Sequence, residues 1–163
     1  AMKLAWTGED FTFEGTGYAA LGNRIRPAPV QKPHPPILIG GNSRMAIRRA
    51  VELGDTWCPF FAPAAVLSMA RTASIAEDED IDAALAYMHA HCVKIGRETP
   101  PSLYFAGTGA IKPGFDAQEF IDRIGALREK GASGVGVNIS AGTRARWCDL
   151  ARDFGNTVLA KLD

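Results

Sequence analysis

The chain of 163 residues lacks any excess of charge, with 18 Lys and Arg against 18 Asp and Glu. That balance sets up no long-range field toward nucleic acid or an anionic membrane, so an anion would have to be held by local geometry. Cysteine is scarce and odd in number, and Cys58, Cys92 and Cys148 lie far apart. No CxxC or Cys/His spacing suits zinc, so no metal site is expected and the thiols read as reduced, in a cytoplasmic protein. No apolar run approaches the roughly 18 residues of a membrane span. Nor does the N-terminus carry a basic stretch followed by a long apolar one, so no signal peptide is expected. These absences leave small molecules as the expected partners, with neither nucleic acid nor membrane.

What is present is ordinary globular composition, 47% apolar and 22% charged, in a length that fits a single domain over 1–163. Residues 1–35 read as an irregular arm. Leu4 and Trp6 resemble a helix tail, and Phe11–Gly15 alternates like a short extended piece. Arg26 to Pro36 is so proline-rich that it excludes helix and acts as a stiff lead-in.

The lead-in delivers Pro35-Pro36-Ile37-Leu38-Ile39-Gly40-Gly41-Asn42-Ser43. A short apolar strand ends in two glycines and a capping serine, and a helix follows with Ala46, Ile47, Ala50, Val51 and Leu53 on one side. Glycines let backbone approach a ligand, and the first amides of a helix attract an anion such as phosphate. The plainer reading is a βα turn with Ser43 as N-cap and no ligand. Gly54 reads as a C′ glycine, and Asp55 to Phe60 as the next strand.

Pro63 suits the first turn of a helix reaching about Thr72. The acids Glu77 to Asp80 suit the start of another helix, ahead of a metal site, because consecutive acids splay around a helix. That helix carries a stripe of Ile81, Leu85, Met88, Cys92 and Ile95 and closes at Gly96. His89 and His91 are two apart and cannot share a face as ligands do. A third strand spans Ser102–Gly107. Asp116 and Glu119 start a helix with Phe120, Ile121, Ile124 and Leu127 inward, and Gly131 ends it. Gly134–Ile139 is the fourth strand. The last helix runs from about Thr143 to Lys161 with Trp147, Leu150, Phe154 and Val158 on one side. Four strands each followed by helix predict an α/β protein with parallel strands, a (β/α) barrel-like arrangement of about four units, or half of an eight-stranded barrel.

Phe13-Glu14-Gly15, Pro29 to Pro33, the Pro35–Ser43 stretch and Leu53-Gly54-Asp55-Thr56-Trp57, in this order and spacing, resemble the luciferase-like monooxygenase family. The resemblance covers the C-terminal half of that family's TIM-like barrel. It implies an oxidoreductase or monooxygenase using FMN or the deazaflavin coenzyme F-420, with the choice between them open. It implies that Gly40, Gly41, Asn42 and Ser43 lie near the cofactor's phosphate tail, and that Gly107–Gly109 and Asn138–Ser140 line the rim. Asp55 and Trp57 match a family motif that has glycine where Thr56 stands, and they read as structural first. The family's first four strands, with its usual catalytic histidine and acids, have no counterpart here. No catalytic residue is therefore assigned: Cys148 and His34 are candidates by chemistry alone. Activity is expected only where an N-terminal half completes the barrel. The alternatives are an inactive half-barrel scaffold that forms a homodimer or binds a phosphorylated ligand, and an unrelated phosphate-binding βα protein.

Overall fold

The structure, a computed structural model, describes residues 1–61, 64–69, 72–75 and 78–162. It divides into a small unit, Ala1–Pro36, and a larger one, Ile37–Asp163.

In the small unit a single turn of helix, α1 (Met2–Ala5), precedes a hairpin of β1 (Phe11–Gly15) and β2 (Tyr18–Asn23). Gly15 pairs with Tyr18 across the two-residue turn Thr16-Gly17. Ala5, Phe11 and Ala20 are buried together beside Phe13. The hairpin corrects the irregular reading of this arm. β2 was missed because Tyr-Ala-Ala-Leu-Gly-Asn lacks the β-branched residues that mark strands. No helix or strand follows until residue 38, as the prolines dictate.

The larger unit opens with β3 (Leu38–Gly40), α2 (Arg44–Leu53) and β4 (Thr56–Cys58). Next come α3 (Ala64–Met69), α4 (Asp78–Ile95), β5 (Ser102–Phe105), β6 (Ala110–Ile111) and α5 (Ala117–Glu129). It ends with β7 (Ala132–Val135), β8 (Asn138–Ile139) and α6 (Arg144–Thr157). Pro63 and Glu77, which the sequence places at helix starts, fall outside the described residues.

The main sheet runs β3-β4-β5-β7, with every pairing parallel and the strands in chain order. A doubly wound sheet would reverse its order at a switch point; this one does not, which is the winding of a barrel segment. The third and fourth strands continue, after a break, as the parallel pair β6 and β8. At that break Thr108 donates from both its amide (3.1 Å) and its hydroxyl (2.9 Å) to the carbonyl of Gly136.

Ile47, Ala50, Val51, Trp57, Leu103, Phe105, Ile81 and Met88 form one core between sheet and helices. Ile111, Leu150, Phe154 and Val158 form a second. The apolar stripes are confirmed in their middles and fail at their ends. Leu53 and Ile95, the last residues of α2 and α4, and Trp147, in the first turn of α6, are about half exposed. Gly54 caps α2 in extended conformation (φ −103°), not as a left-handed C′ residue. Glycine is needed there for space, since a Cβ would lie 2.8 Å from Ile39 Cγ1. Arg97 Nη1 covers the end of α2 by donating to the carbonyls of Val51 (2.6 Å) and Gly54 (2.9 Å).

Candidate functional site

All four strands of the main sheet send their following loops from the same edge, because parallel strands share one direction. The glycine corner lies on that edge. Gly41 donates its amide to Cys58 O at 3.1 Å. Its φ of +121° favours glycine, and a Cβ would meet Ala46 Cβ at 2.9 Å, so turn and helix fit only without a side chain.

The Gly-Asp-Thr-Trp stretch builds this corner from beside it. Trp57 is fully buried and donates Nε1–H to Gly41 O at 2.8 Å. Asp55 Oδ2 accepts the Ile37 amide at 2.7 Å and fixes where β3 begins. Thr56 and Ser102 share a hydroxyl hydrogen bond of 2.7 Å across the neighbouring strands. Asp55 and Trp57 are thus structural, and Trp57 stays out of the cleft lining.

Ser43 is the N-cap of α2. Its hydroxyl accepts from the Ala46 amide at 3.2 Å, and its carbonyl accepts from Ile47. The amides of Ser43, Arg44 and Met45 have no acceptor among the described residues. Such orphan donors at the positive end of a helix dipole suit an anion. Of these, Ser43 and Met45 line a cleft of about 400 Å³ whose lining also includes Gly40, Gly41, Arg49, Phe60 and Thr72. That volume lies within the range of small-ligand sites.

Asn42 behaves differently. It is 4% exposed. Its Nδ2 donates to Phe60 O (2.9 Å) and Ala73 O (3.0 Å), and its Oδ1 accepts from the Phe60 amide (3.0 Å).

Arg49 was missed by the sequence, which marked only the apolar side of α2. It stands one turn beyond Met45, and Met45 also lines the cleft. That i,i+4 relation to a residue just inside the cap was the available signal. Among the described residues Arg49 has no ion-pair partner.

A second cleft, about 450 Å³, lies beside the loop after β5 and includes Thr108, Gly109, Lys112, Phe115, Glu119 and Arg123. It shares no lining residue with the first. Of the expected rim, Thr108 and Gly109 therefore belong to a separate cleft. Asn138 and Ser140 line neither, and their amides bond to Gly109 O and Ile111 O. His34 sits in the small unit, its Nδ1 2.9 Å from Pro35 O and its ring 5.9 Å from that of Trp6. Cys148 is half-buried on α6, in neither cleft. His91 meets Glu52 at 2.8 Å, away from His89. Among the described residues no cluster of His, Cys, Asp or Glu could hold a metal, and no helix could cross a membrane.

Cys58, at the end of β4, donates weakly to Pro59 O. Burial pushes its thiol up from the ordinary value, against a smaller downward pull from a hydrogen bond with the Ala106 backbone.

The luciferase-like monooxygenase family matches residues 1–123, about three quarters of the chain. The chain belongs to that family. An FMNH2-dependent dimethylsulfone monooxygenase of Pseudomonas putida is 40% identical over 55 residues, which are 34% of this chain and 15% of that protein. An F-420-dependent secondary alcohol dehydrogenase, solved in complex with an F-420-acetone adduct, superposes with a TM-score of 0.67 at 13% identity. That superposition takes in 99% of this luciferase-like chain and 59% of the dehydrogenase, and it establishes a shared fold. The chain thus spans less than two thirds of either relative's length.

Proposed function

We propose that the chain is the cofactor-phosphate half of a luciferase-like oxidoreductase, and that Gly40, Gly41, Asn42 and Ser43 build the seat for the anionic tail of FMN or a deazaflavin. One observation carries the reading: Ser43 and Met45, whose amides have no acceptor among the described residues, line a cleft together with Arg49, which has no ion-pair partner among them. The residues fit the group. Gly40 and Gly41 leave room for close backbone approach, Ser43 orders the helix start, and Arg49 adds a positive side chain to the lining. The flavin-type cofactor supplies the hydride transfer or oxygen chemistry; the protein's part is to hold and orient it. The named cofactors of the two relatives, FMNH2 and F-420, support this class.

We read 1–163 as one barrel-half domain with 1–35 as its arm, in a cytoplasmic protein with three reduced thiols acting on a small molecule. The test is titration of the whole chain with FMN and with F-420, followed by absorbance and fluorescence. Saturable binding of one is expected; failure of both to bind ends the proposal.

A second reading is a non-catalytic scaffold that pairs with its own copy. The sheet supports it: β3 and β7 are both edge strands, and Leu38 on β3 is 49% exposed. Light scattering would then give a homodimer, and a monodisperse monomer would remove this reading.

A further inference from the structure

We propose that Asn42 is a positioning residue whose carboxamide latches the far wall of the cleft to the glycine corner, so that ligand affinity depends on a residue that does not itself meet the ligand. The inference rests on the phosphate-seat reading above. Every polar group of Asn42 that could turn toward an anion is already used within the protein. Both Nδ2 hydrogens go to carbonyls, of Phe60 and Ala73, and Oδ1 takes the Phe60 amide. The backbone amide of Asn42 goes to Thr72 Oγ1 at 2.8 Å. Two carbonyls and one amide as partners also fix which end of the carboxamide is nitrogen.

The segments so tied are the ones the cleft needs. Phe60 and Thr72 both line it, and they come from different connections, one after β4 and one before α4. Beyond Ala73 the second segment is anchored by Ile75, buried in the main core, and behind Thr72 by its own amide bonded to Leu67 O. Between these anchors, the hydrogen bonds described for residues 72–75 toward the corner both end on Asn42. One buried side chain therefore sets the spacing between helix start and opposite wall. Asp, Ser or Thr, although good turn residues, cannot supply two donors and one acceptor at once.

The test uses the whole chain, with amide hydrogen exchange and FMN and F-420 titrations on wild type, Asn42→Leu and Asn42→Asp. Asn42→Leu keeps the branched four-atom side-chain skeleton, is somewhat bulkier, and removes all three side-chain bonds. We expect exchange at Phe60 and Thr72 to quicken together, by about tenfold or more, and the dissociation constant to rise by a similar factor. Asn42→Asp keeps the acceptor and loses both donors at pH 7.5. Because the acceptor for the Phe60 amide survives, exchange at Phe60 should quicken less in Asn42→Asp than in Asn42→Leu; a residue that merely fills space would give no such order.

Unchanged exchange at Thr72, or unchanged affinity in Asn42→Leu, overturns the latch. Should wild type bind neither cofactor, the phosphate seat falls and exchange at Phe60 and Thr72 alone decides the latch. If Asn42→Leu does not fold, Thr72→Val removes one acceptor with little change of shape. Faster exchange at the Asn42 amide and a several-fold weaker affinity are then expected, and their absence counts against the proposal.

Discussion

Two loops leaving the sheet carry similar letters and do opposite things. After β3, Ser43 and Met45, whose amides have no acceptor among the described residues, line a cleft with Arg49. After β5, Gly107-Thr108-Gly109 also precedes a helix, but Thr108 is buried and bonded twice to Gly136 O. The α5 helix is capped by Asp116, whose Oδ1 takes the amides of Gln118 and Glu119. Arg123 there lies 4.7 Å from the centre of the Phe61 ring, and the lining holds two acids, Asp116 and Glu119, beside Lys112 and Arg123. Glycine content does not separate these loops. The charge of the cap and what remains unbonded do.

The comparison breaks most directly at its foundation. Trp57→Ala should cost about 3–5 kcal/mol in urea unfolding, since it empties a fully buried site and orphans the Gly41 carbonyl. Next, Gly41→Ala forces a side chain into a left-handed conformation and onto Ala46, and a loss of about 1–3 kcal/mol is expected. Arg49→Gln should weaken FMN or F-420 binding by about tenfold, or about 1.4 kcal/mol, with unfolding unchanged. Arg123→Gln should leave binding as it was; equal losses from both would erase the distinction between the clefts.

The two caps sharpen it further. Ser43→Ala and Asp116→Ala should each lower stability by about 1 kcal/mol. Only the serine change should also weaken the cofactor, by disordering the amides around it. The smallest effect concerns Cys58. Its raised folded value means that the unfolded thiol ionises first, so its contribution is intact below the ordinary thiol value of 9.0 and fades as pH rises through the folded one. Unfolding measured from pH 8 to 10.5 should fall more steeply for wild type than for Cys58→Ala.

Much of the frame was legible because it depends on local patterns. The parallel strands followed the βα alternation. Ile47, Val51, Met88 and Phe154 followed helical periodicity into the cores, and Asp116 and Ser43 were placed as caps by residue type alone. The misses share a cause. β2 lacked strand-forming residues, Leu53 and Trp147 obeyed the period but sit half exposed in end turns of their helices, and Arg49 looked like any exposed cation until the loop after β4 gave its face something to border. The working parts of Asn42 were equally hidden, because its partners lie 18 and 31 residues along the chain.

The sequence by itself determined the strand-helix alternation after residue 36, the twin-glycine corner, the family resemblance and the balance of charge. These rest on spacing between near neighbours and on composition. Only the tertiary structure decided which glycine loop keeps free amides, which arginine faces a cleft and which asparagine is spent as a tie. Each depends on whether a polar group already has a partner, and those partners are brought together from distant segments only when the sheet assembles.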